Sequence, residues 1–125
     1  MSEQSWRYED LTVFQRAYQL SLEMHRASLT WPREEQFGGI ADQLRRSSKS
    51  VCALLAEGSA RQRSSQAEFR RYVIMAMGSA DETRLWCRYA EDLGYVEEAV
   101  VRRWQEEAGI VARMLQSLAR RLQSS

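Results

Sequence analysis

Side chains that could support acid–base, nucleophilic or metal chemistry are few in this sequence and unfavourably spaced. His25 is the only histidine, and Glu23, two positions before it, would point to a different side of a helix. The two cysteines, Cys52 and Cys87, match no zinc-binding spacing, and their apolar neighbours indicate reduced, packed thiols. A nucleophile, a base and an orienting group cannot be assembled in the usual form. We therefore expect no enzyme activity, no catalytic residue, no metal and no cofactor.

Arginine is the other residue type with chemical potential here, because its planar guanidinium binds carboxylates and phosphates through two parallel hydrogen bonds. The chain has 18 basic and 17 acidic residues, and Lys49 is the only lysine. The net charge of +1 selects neither nucleic acid nor a membrane surface. Arginine richness also arises from genome composition, so composition leaves both explanations open.

Positive charge is concentrated in three short segments. Residues 61–71 hold four arginines against Glu68, and residues 108–125 hold three arginines and no acid, so each segment has a balance of +3. A third basic cluster lies within the predicted second helix, whereas residues 81–93 have a balance of −2. The candidate nucleic-acid-binding residues are Arg45, Arg46, Lys49, Arg61, Arg63, Arg70, Arg71, Arg113, Arg120 and Arg121.

Four segments with helical periodicity must position these side chains. They are predicted over about 10–29, 33–58, 65–93 and 97–122. The second is well defined from Ile40 to Glu57, and Phe37-Gly38-Gly39 predicts a loop, a kink or a partly unwound first turn near its beginning. Asp10 is a predicted N-cap, the serines before the third helix can cap it, and Gly94 is a predicted C-terminal stop. The stripe predicted to face the core in the first helix is Leu11, Phe14, Tyr18, Ser21, His25 and Ser28. The fourth helix has the most regular stripe, formed by Val101, Trp104, Ala108, Val111, Leu115, Leu118 and Leu122.

This pattern predicts one domain over 1–125 of the all-α class, an antiparallel up-down-up-down four-helix bundle. Six glycines and one proline leave too few turns for an all-β fold of this length. In such a bundle, the connection between the second and third helices lies at the same end as the end of the fourth. The two +3 segments should therefore meet, which favours a polyanion ligand, and should leave the opposite end relatively acidic. A solvated surface without a partner explains any single cluster equally well.

The opening Tyr8-Glu9-Asp10-Leu11-Thr12-Val13-Phe14-Gln15-Arg16-Ala17 resembles a family pattern, F-x-D-L-x-V-W-Q-x-A. The family comprises small four-helix-bundle proteins encoded in intervening sequences of bacterial 23S ribosomal RNA genes. Further matching motifs follow in the same order at 40–46, at 56–58 with Arg61, at 68–69, at 76–79 with Glu82, and at 93–95. The sequence departs from the pattern at Phe14, where the family often has Trp, and at Gly38-Gly39, where it usually has Gly-Leu. Within these motifs, Gly58 and Gly78 are expected to let neighbouring backbones approach closely.

The resemblance implies a homopentamer. It also implies kinship with the accessory variability protein of diversity-generating retroelements, a basic pentameric barrel that binds nucleic acid and a reverse transcriptase. The partners that follow are RNA or DNA and a protein such as a reverse transcriptase; the alternative is a protein–protein interaction scaffold without nucleic-acid binding. Apolar residues outside the main stripes independently favour an oligomer: Leu20, Leu22, Leu55, Ile74, Leu85 and Ile110. No apolar run approaches the ~20 residues of a membrane span, so we expect a cytoplasmic protein without a membrane partner.

Overall fold

The computed structural model describes residues 7–123, and these residues form helices and no strand. The four α-helices are α1 (Thr12–Ser28), α2 (Ile40–Ala60), α3 (Gln66–Asp92) and α4 (Glu98–Gln123), and two short 3-10 helices lie at Tyr8–Asp10 and Arg33–Glu35. Each α-helix packs against its neighbours in the chain, and α1 also packs against α4. The helices therefore close into an antiparallel up-down-up-down bundle, which confirms the predicted fold. Within this part of the chain, no helix combines the length and apolar character needed to cross a membrane.

The helix α4 supplies one continuous apolar stripe to the core. All seven residues of its predicted stripe are buried, each no more than 4% exposed. They join two adjoining core clusters, one around Phe69 and Leu115 and the other around Met24 and Trp104. The indole N–H of Trp104 donates a hydrogen bond to the Glu23 carboxylate at 3.1 Å, so its polar atom is satisfied on burial.

The helix α1 is rotated relative to the predicted stripe. Val13, Ala17, Leu20 and Met24 face the core, whereas Tyr18 is 44% exposed. The aromatic side chains instead pack on one another at the surface, with Phe14 stacked on Tyr18 at 5.7 Å between ring centroids. Both stripes have helical spacing, and the small side chain of Ala17 allows the observed face to pack closely. The predicted register of α1 is therefore largely wrong, although Ser21 and Ser28 are buried as predicted.

The start of α2 is set by a residue that the sequence pattern did not single out. The predicted second helix starts near 33, is interrupted at 37–39 and is well defined from Ile40. In the structure, a 3-10 turn at Arg33–Glu35 is followed by a loop in which Gly38 has φ +81°, and α2 begins at Ile40, which confirms the interruption. One oxygen of the Glu35 carboxylate accepts the Ile40 backbone N–H at 2.7 Å, and the other accepts the Tyr95 hydroxyl at 2.7 Å. Glu35 therefore caps α2 and ties it to the loop that precedes α4.

Capping of the other helices follows the predictions in part. The Ser65 hydroxyl accepts the Glu68 N–H at 3.1 Å at the start of α3, as predicted. Gly94, with φ +79°, ends α3 while the Tyr95 N–H donates to the Ala90 carbonyl at 2.9 Å, which is a Schellman motif. The prediction for Asp10 is wrong: it lies in the preceding 3-10 helix, and the N-cap of α1 is Leu11, without a side-chain hydrogen bond.

Two glycines expected to permit close packing have different surroundings. A Cβ at Gly58 would lie 2.6 Å from the Tyr72 Cβ, so this glycine lets α2 approach α3 closely, as expected. A Cβ at Gly78 would have no neighbour within 4 Å among the described residues. Packing within the chain thus explains Gly58 and does not explain Gly78.

Leu115→Asp tests the register of α4. Leu115 is fully buried among apolar side chains. A Leu→Ala change in a core lowers the free energy of unfolding by about 2–5 kcal/mol. Leu115→Asp should lower it further, because it also leaves an unpaired carboxylate in the core. We expect the variant to be unfolded or to melt far below the parent by circular dichroism. The control is Gln116→Asp at the exposed neighbouring position, which should melt near the parent; a Leu115→Asp variant that did the same would contradict the register.

Glu35→Gln tests the cap of α2. The hydrogen bonds from the Ile40 N–H and the Tyr95 hydroxyl lower the pKa of Glu35, so the ionised form is favoured in the folded state. This contribution is present above the ordinary carboxyl pKa and is lost as the pH falls through the lowered value. We expect the variant to be about 1 kcal/mol less stable than the parent near pH 7, with the difference disappearing in acid.

Urea unfolding at several pH values measures this difference. Glu34→Gln, at the exposed neighbouring carboxylate, is the matched control and should show little change. Equal losses in the two variants would show that Glu35 does not act as the cap.

Candidate nucleic-acid interface

Arginines from the connection between α2 and α3, from the start of α3 and from the end of α4 lie at one end of the bundle. Arg70 bridges α3 and α4: its Nε donates to the Ala119 carbonyl at 3.1 Å and its Nη2 donates to the Gln123 side-chain oxygen at 3.4 Å. The start of α3 is thereby held against the end of α4. We call this surface the basic end, and its candidate residues are Arg61, Arg63, Arg70, Arg71, Arg120 and Arg121.

Two of these arginines flank one aromatic ring. The guanidinium carbons of Arg61 and Arg71 lie 5.1 and 5.2 Å from the centroid of the Tyr72 ring. Each also pairs with a carboxylate, Arg61 with Glu57 at 3.2 Å and Arg71 with Glu68 at 3.4 Å. Because exposed ion pairs contribute little to stability, a phosphate can replace these carboxylates at low cost.

Arg63 and Arg120 are exposed and have no carboxylate partner among residues 7–123. Arg121 lines a surface cavity of about 390 Å³ together with Arg7 and Asp10. Arg7 was not among the residues predicted from the sequence; Glu9 and Asp10, two and three positions after it, offset its charge.

The charge balance differs between the two ends of the bundle. The basic end and the adjoining 3-10 helix carry seven arginines against four carboxylates: Arg7, Arg61, Arg63, Arg70, Arg71, Arg120 and Arg121 against Glu9, Asp10, Glu57 and Glu68. At the far end, defined by residues 26–46 and 88–102, six arginines face seven carboxylates. The far end is therefore nearly neutral rather than distinctly acidic, because α2 brings its own arginines beside the acidic residues of α3 and α4.

The third predicted cluster lies away from the basic end, towards the far end. Arg45 is half-buried, and its guanidinium donates to the Ser28 hydroxyl at 2.7 Å and to the Gln36 carbonyl at 3.3 Å. These bonds hold the loop between α1 and α2 against α2. The two other basic residues also have partners: Arg46 pairs with Asp42 at 3.1 Å, and the Lys49 ammonium donates to His25 Nδ1 at 2.8 Å. The structure does not bring Arg45, Arg46 and Lys49 together with the other candidates.

Arg113 occupies a third location, in the groove between α3 and α4. It is seven residues before Arg120, which is about 10 Å along the helix axis. Arg84 of α3 lines the same groove. Arg84 was not among the predicted residues, because it lies within the acidic segment 81–93. The antiparallel pairing of α3 with α4 was the signal that could have placed the two arginines together.

The histidine and the two cysteines, which could support acid–base, nucleophilic or metal chemistry, are packed within the bundle or hydrogen-bonded to neighbouring side chains. Burial, followed by the nearby charges of Lys49, Arg45 and Arg26, lowers the pKa of His25, so the neutral ring is favoured. Cys52 and Cys87 are free thiols, and burial raises their pKa to about 11 and about 12. Within residues 7–123, no group of three or more His, Cys, Asp or Glu side chains is arranged to hold a metal ion.

Comparison with solved structures supports the same fold. One similar structure is the crystal structure at 1.70 Å resolution of a protein of unknown function from the S23 ribosomal protein family of Bacteroides thetaiotaomicron. Its TM-score is 0.79, and the alignment covers 92% of this chain and 99% of that chain at 17% identity. At this identity the similarity shows the fold alone.

Sequence comparison gives the family. No curated protein matches the chain. The sequence profile of the family described as "23S rRNA-intervening sequence protein" matches residues 9–117, which is most of the chain and includes α1, α2, α3 and the greater part of α4. The chain therefore belongs to the 23S rRNA-intervening sequence protein family.

Proposed function

We propose that this protein is a non-enzymatic, homo-oligomeric binding protein that holds the phosphate backbone of RNA or DNA at its basic end. The observation that carries the proposal is the excess of seven arginines over four carboxylates at one end of a nearly neutral chain. Arg63 and Arg120 are exposed there outside the ion pairs of the described residues. Such a surface lowers the free energy of a polyanion by displacing its condensed counterions.

The arrangement favours contacts to phosphates over contacts to bases. The arginines project from the ends of helices and from one loop, so they form a patch rather than a single element that enters a groove. Arginine contacts to phosphate fix the position of a nucleic acid but carry no sequence information directly. The Tyr72 ring beside Arg61 and Arg71 is only 8% exposed and has their guanidiniums over it, so it offers little surface for base stacking. We therefore expect sequence-tolerant binding.

The outward face of α3 supports assembly with further copies of the chain. Large apolar residues that are 42–51% exposed recur along this face: Ile74, Met75, Leu85, Tyr89 and Leu93. Gly78 lies among them with open space above its backbone, which suits the close approach of a second helix. Of the other residues expected at an interface, Leu20 and Leu55 are buried in the core of the chain itself, and Leu22 and Ile110 are half-buried.

The oligomer that we propose is the pentamer implied by the family resemblance. In a ring whose symmetry axis runs along the bundles, all basic ends face the same side. The ring would then present five copies of the patch to one nucleic acid, and the binding of neighbouring patches would be favoured by their high effective concentration. A cytoplasmic location is consistent with this proposal.

Binding to another protein is the second candidate function. Phe37 favours it: this side chain is 88% exposed and is followed by Gly38 with φ +81° in the loop before α2. Leu29, 56% exposed, lies in the same half of the bundle. A protein partner, such as a reverse transcriptase, could therefore bind the far end while nucleic acid occupies the basic end. Without nucleic-acid binding, the protein would be an interaction scaffold.

Leu85→Asp tests the interface on α3. Leu85 is 47% exposed, so the substitution leaves the core intact but places a charge on the apolar face. We expect the mass measured by light scattering to fall from about 73 kDa, five copies of 14.6 kDa, towards that of one chain. Tyr18→Asp on α1, where the parent residue is 44% exposed, is the control and should assemble like the parent. A parent protein of 14.6 kDa at micromolar concentration would refute the oligomer.

A double reversal, Arg63→Glu with Arg120→Glu, tests the basic end. Both residues are exposed, so the bundle should stay folded. We expect affinity for labelled RNA and DNA, measured by fluorescence anisotropy at low salt, to fall at least tenfold. For the parent, the logarithm of affinity should fall with the logarithm of salt by about 0.9 per neutralised duplex phosphate or about 0.7 for single strands.

The control for this experiment is the double reversal Arg26→Glu with Arg88→Glu, which makes the same change in net charge at exposed positions outside the basic end. Equal losses in both double variants would show an effect of net charge rather than of the basic end. No binding by the intact oligomer at low salt would eliminate the nucleic-acid function and favour the scaffold.

A further inference from the structure

Gly109 lies in the interior of α4, where the chain itself gives no reason for glycine. Its φ is not in the positive range that favours glycine. A Cβ at this position would lie 3.7 Å from Arg113 Nη1 and 3.9 Å from Arg84 Nη1, which are ordinary contact distances. Alanine would therefore fit, and it is a better helix former than glycine. Neither the backbone conformation nor the packing of the described residues accounts for Gly109.

The two side chains above Gly109 both carry positive charge. Because both Nη1 atoms lie so near one point, the sum of the two distances limits their separation to 7.6 Å. Neither Arg84 nor Arg113 forms an ion pair with a carboxylate among residues 7–123. Two like charges at this distance repel each other. An anion between them would be attracted by both guanidiniums and would offset their repulsion.

Arg84 is held in this position by α4. Its Nε donates to the Gln105 side-chain oxygen at 3.2 Å, and the Gln105 side-chain NH₂ donates back to the Arg84 carbonyl at 2.9 Å. These two hydrogen bonds join α3 to α4 at the edge of the groove. They orient one guanidinium before any ligand binds, which reduces the entropy lost on binding.

The groove around Gly109 has a volume of about 480 Å³ and is predominantly basic. Arg102 also lines it, and Glu106 is the carboxylate among its lining residues. Arg102 pairs with Glu98 at 3.1 Å, so its charge is partly offset. The groove is thus large enough for a phosphate group, and its net positive charge comes from the pair Arg84 and Arg113.

We propose that Arg84 and Arg113 form a binding site for a phosphate group above Gly109. Each guanidinium donates charge-assisted N–H···O bonds of about 2.7–2.9 Å, and the different oxygens of one phosphate bridge the gap between them. Because Gly109 has no Cβ, the phosphate can lie closer to the backbone of α4 than it could above any other residue. The phosphate is either free or part of a nucleic-acid backbone. The site is distinct from the basic end and does not depend on the function proposed for that end.

NMR titration of the whole protein with inorganic phosphate tests this site. The Gly109 amide and the Nε–H signals of Arg84 and Arg113 should shift in a saturable manner with phosphate but not with chloride at equal ionic strength. Arg84→Gln and Arg113→Gln should each weaken binding at least tenfold, because each removes one of two charged donors. Arg26→Gln on α1, with the same loss of charge, should bind like the parent. Absence of saturable shifts in the parent, or unchanged binding by both groove variants, would overturn the proposal.

Gly109→Asp provides an independent test, because its carboxylate would lie between the two guanidiniums and replace the ligand. We expect its Tm in chloride buffer to exceed that of the parent and to be insensitive to added phosphate. A variant that responded to phosphate like the parent would contradict the site.

A ten-nucleotide oligothymidine, used in a second titration, distinguishes the two sources of phosphate. If it shifts the Gly109 amide as inorganic phosphate does, the site accepts a nucleic-acid backbone. If only inorganic phosphate does so, the site binds free phosphate, and this result stands whether or not the basic end binds nucleic acid.

Discussion

Burial of the apolar stripe of α4 is the interaction on which the rest of the structure depends. The stripe extends from Val101 to Leu122, and its largest side chain, Trp104, is fully buried. Burying a large apolar side chain contributes about 1.5–3 kcal/mol, so no single surface ion pair compares with one position of this stripe. Because α4 is packed along its whole length, its last turns are fixed beside the first turn of α3. The bond from Arg70 to the Ala119 carbonyl depends on that placement.

The surface arginines divide into those that support the fold and those that remain accessible to a ligand. Arg16 and Arg103 of the α1–α4 groove pair with Glu107 and Glu23, which hold together two helices that share few other contacts. Arg45 likewise fastens a loop to α2. Although the net charge is only +1, charged residues have different roles at different locations: Glu23 and Glu107 join α1 to α4, whereas most other ion pairs among residues 7–123 lie within one helix.

The sequence was sufficient to predict features that are set by local chemistry or by a long regular pattern. The stripe of α4 follows from a long regular pattern. The Ser65 cap and the Gly94 stop follow from local chemistry, because each depends on neighbouring residues in the chain. The face of α1 could not be predicted in the same way: two stripes had helical spacing, and only packing against α2 and α4 selects the one that contains Ala17. Glu35 could not be identified as a cap because it lies five residues before Ile40 rather than at the usual N-cap position, and because Tyr95, its other partner, is brought to it by the tertiary fold.

The candidate site also combines features that could be predicted from the sequence with features that only the tertiary fold sets. The meeting of the arginines at the basic end followed from up-down topology, whereas the pairing of Arg84 with Arg113 depends on the lateral alignment of α3 and α4. A charge balance summed along the chain concealed that pairing, since neighbours in sequence on a helix point in different directions.

The two hydrogen bonds of Glu35 also affect how the molecule opens. They join the connection between α1 and α2 to the connection between α3 and α4, so one carboxylate links the two helical hairpins at the far end. Neither connection can separate from the bundle without breaking a bond that the other also uses. The two loops therefore form a single cooperative unit in local unfolding, and their amides should exchange with solvent together rather than independently.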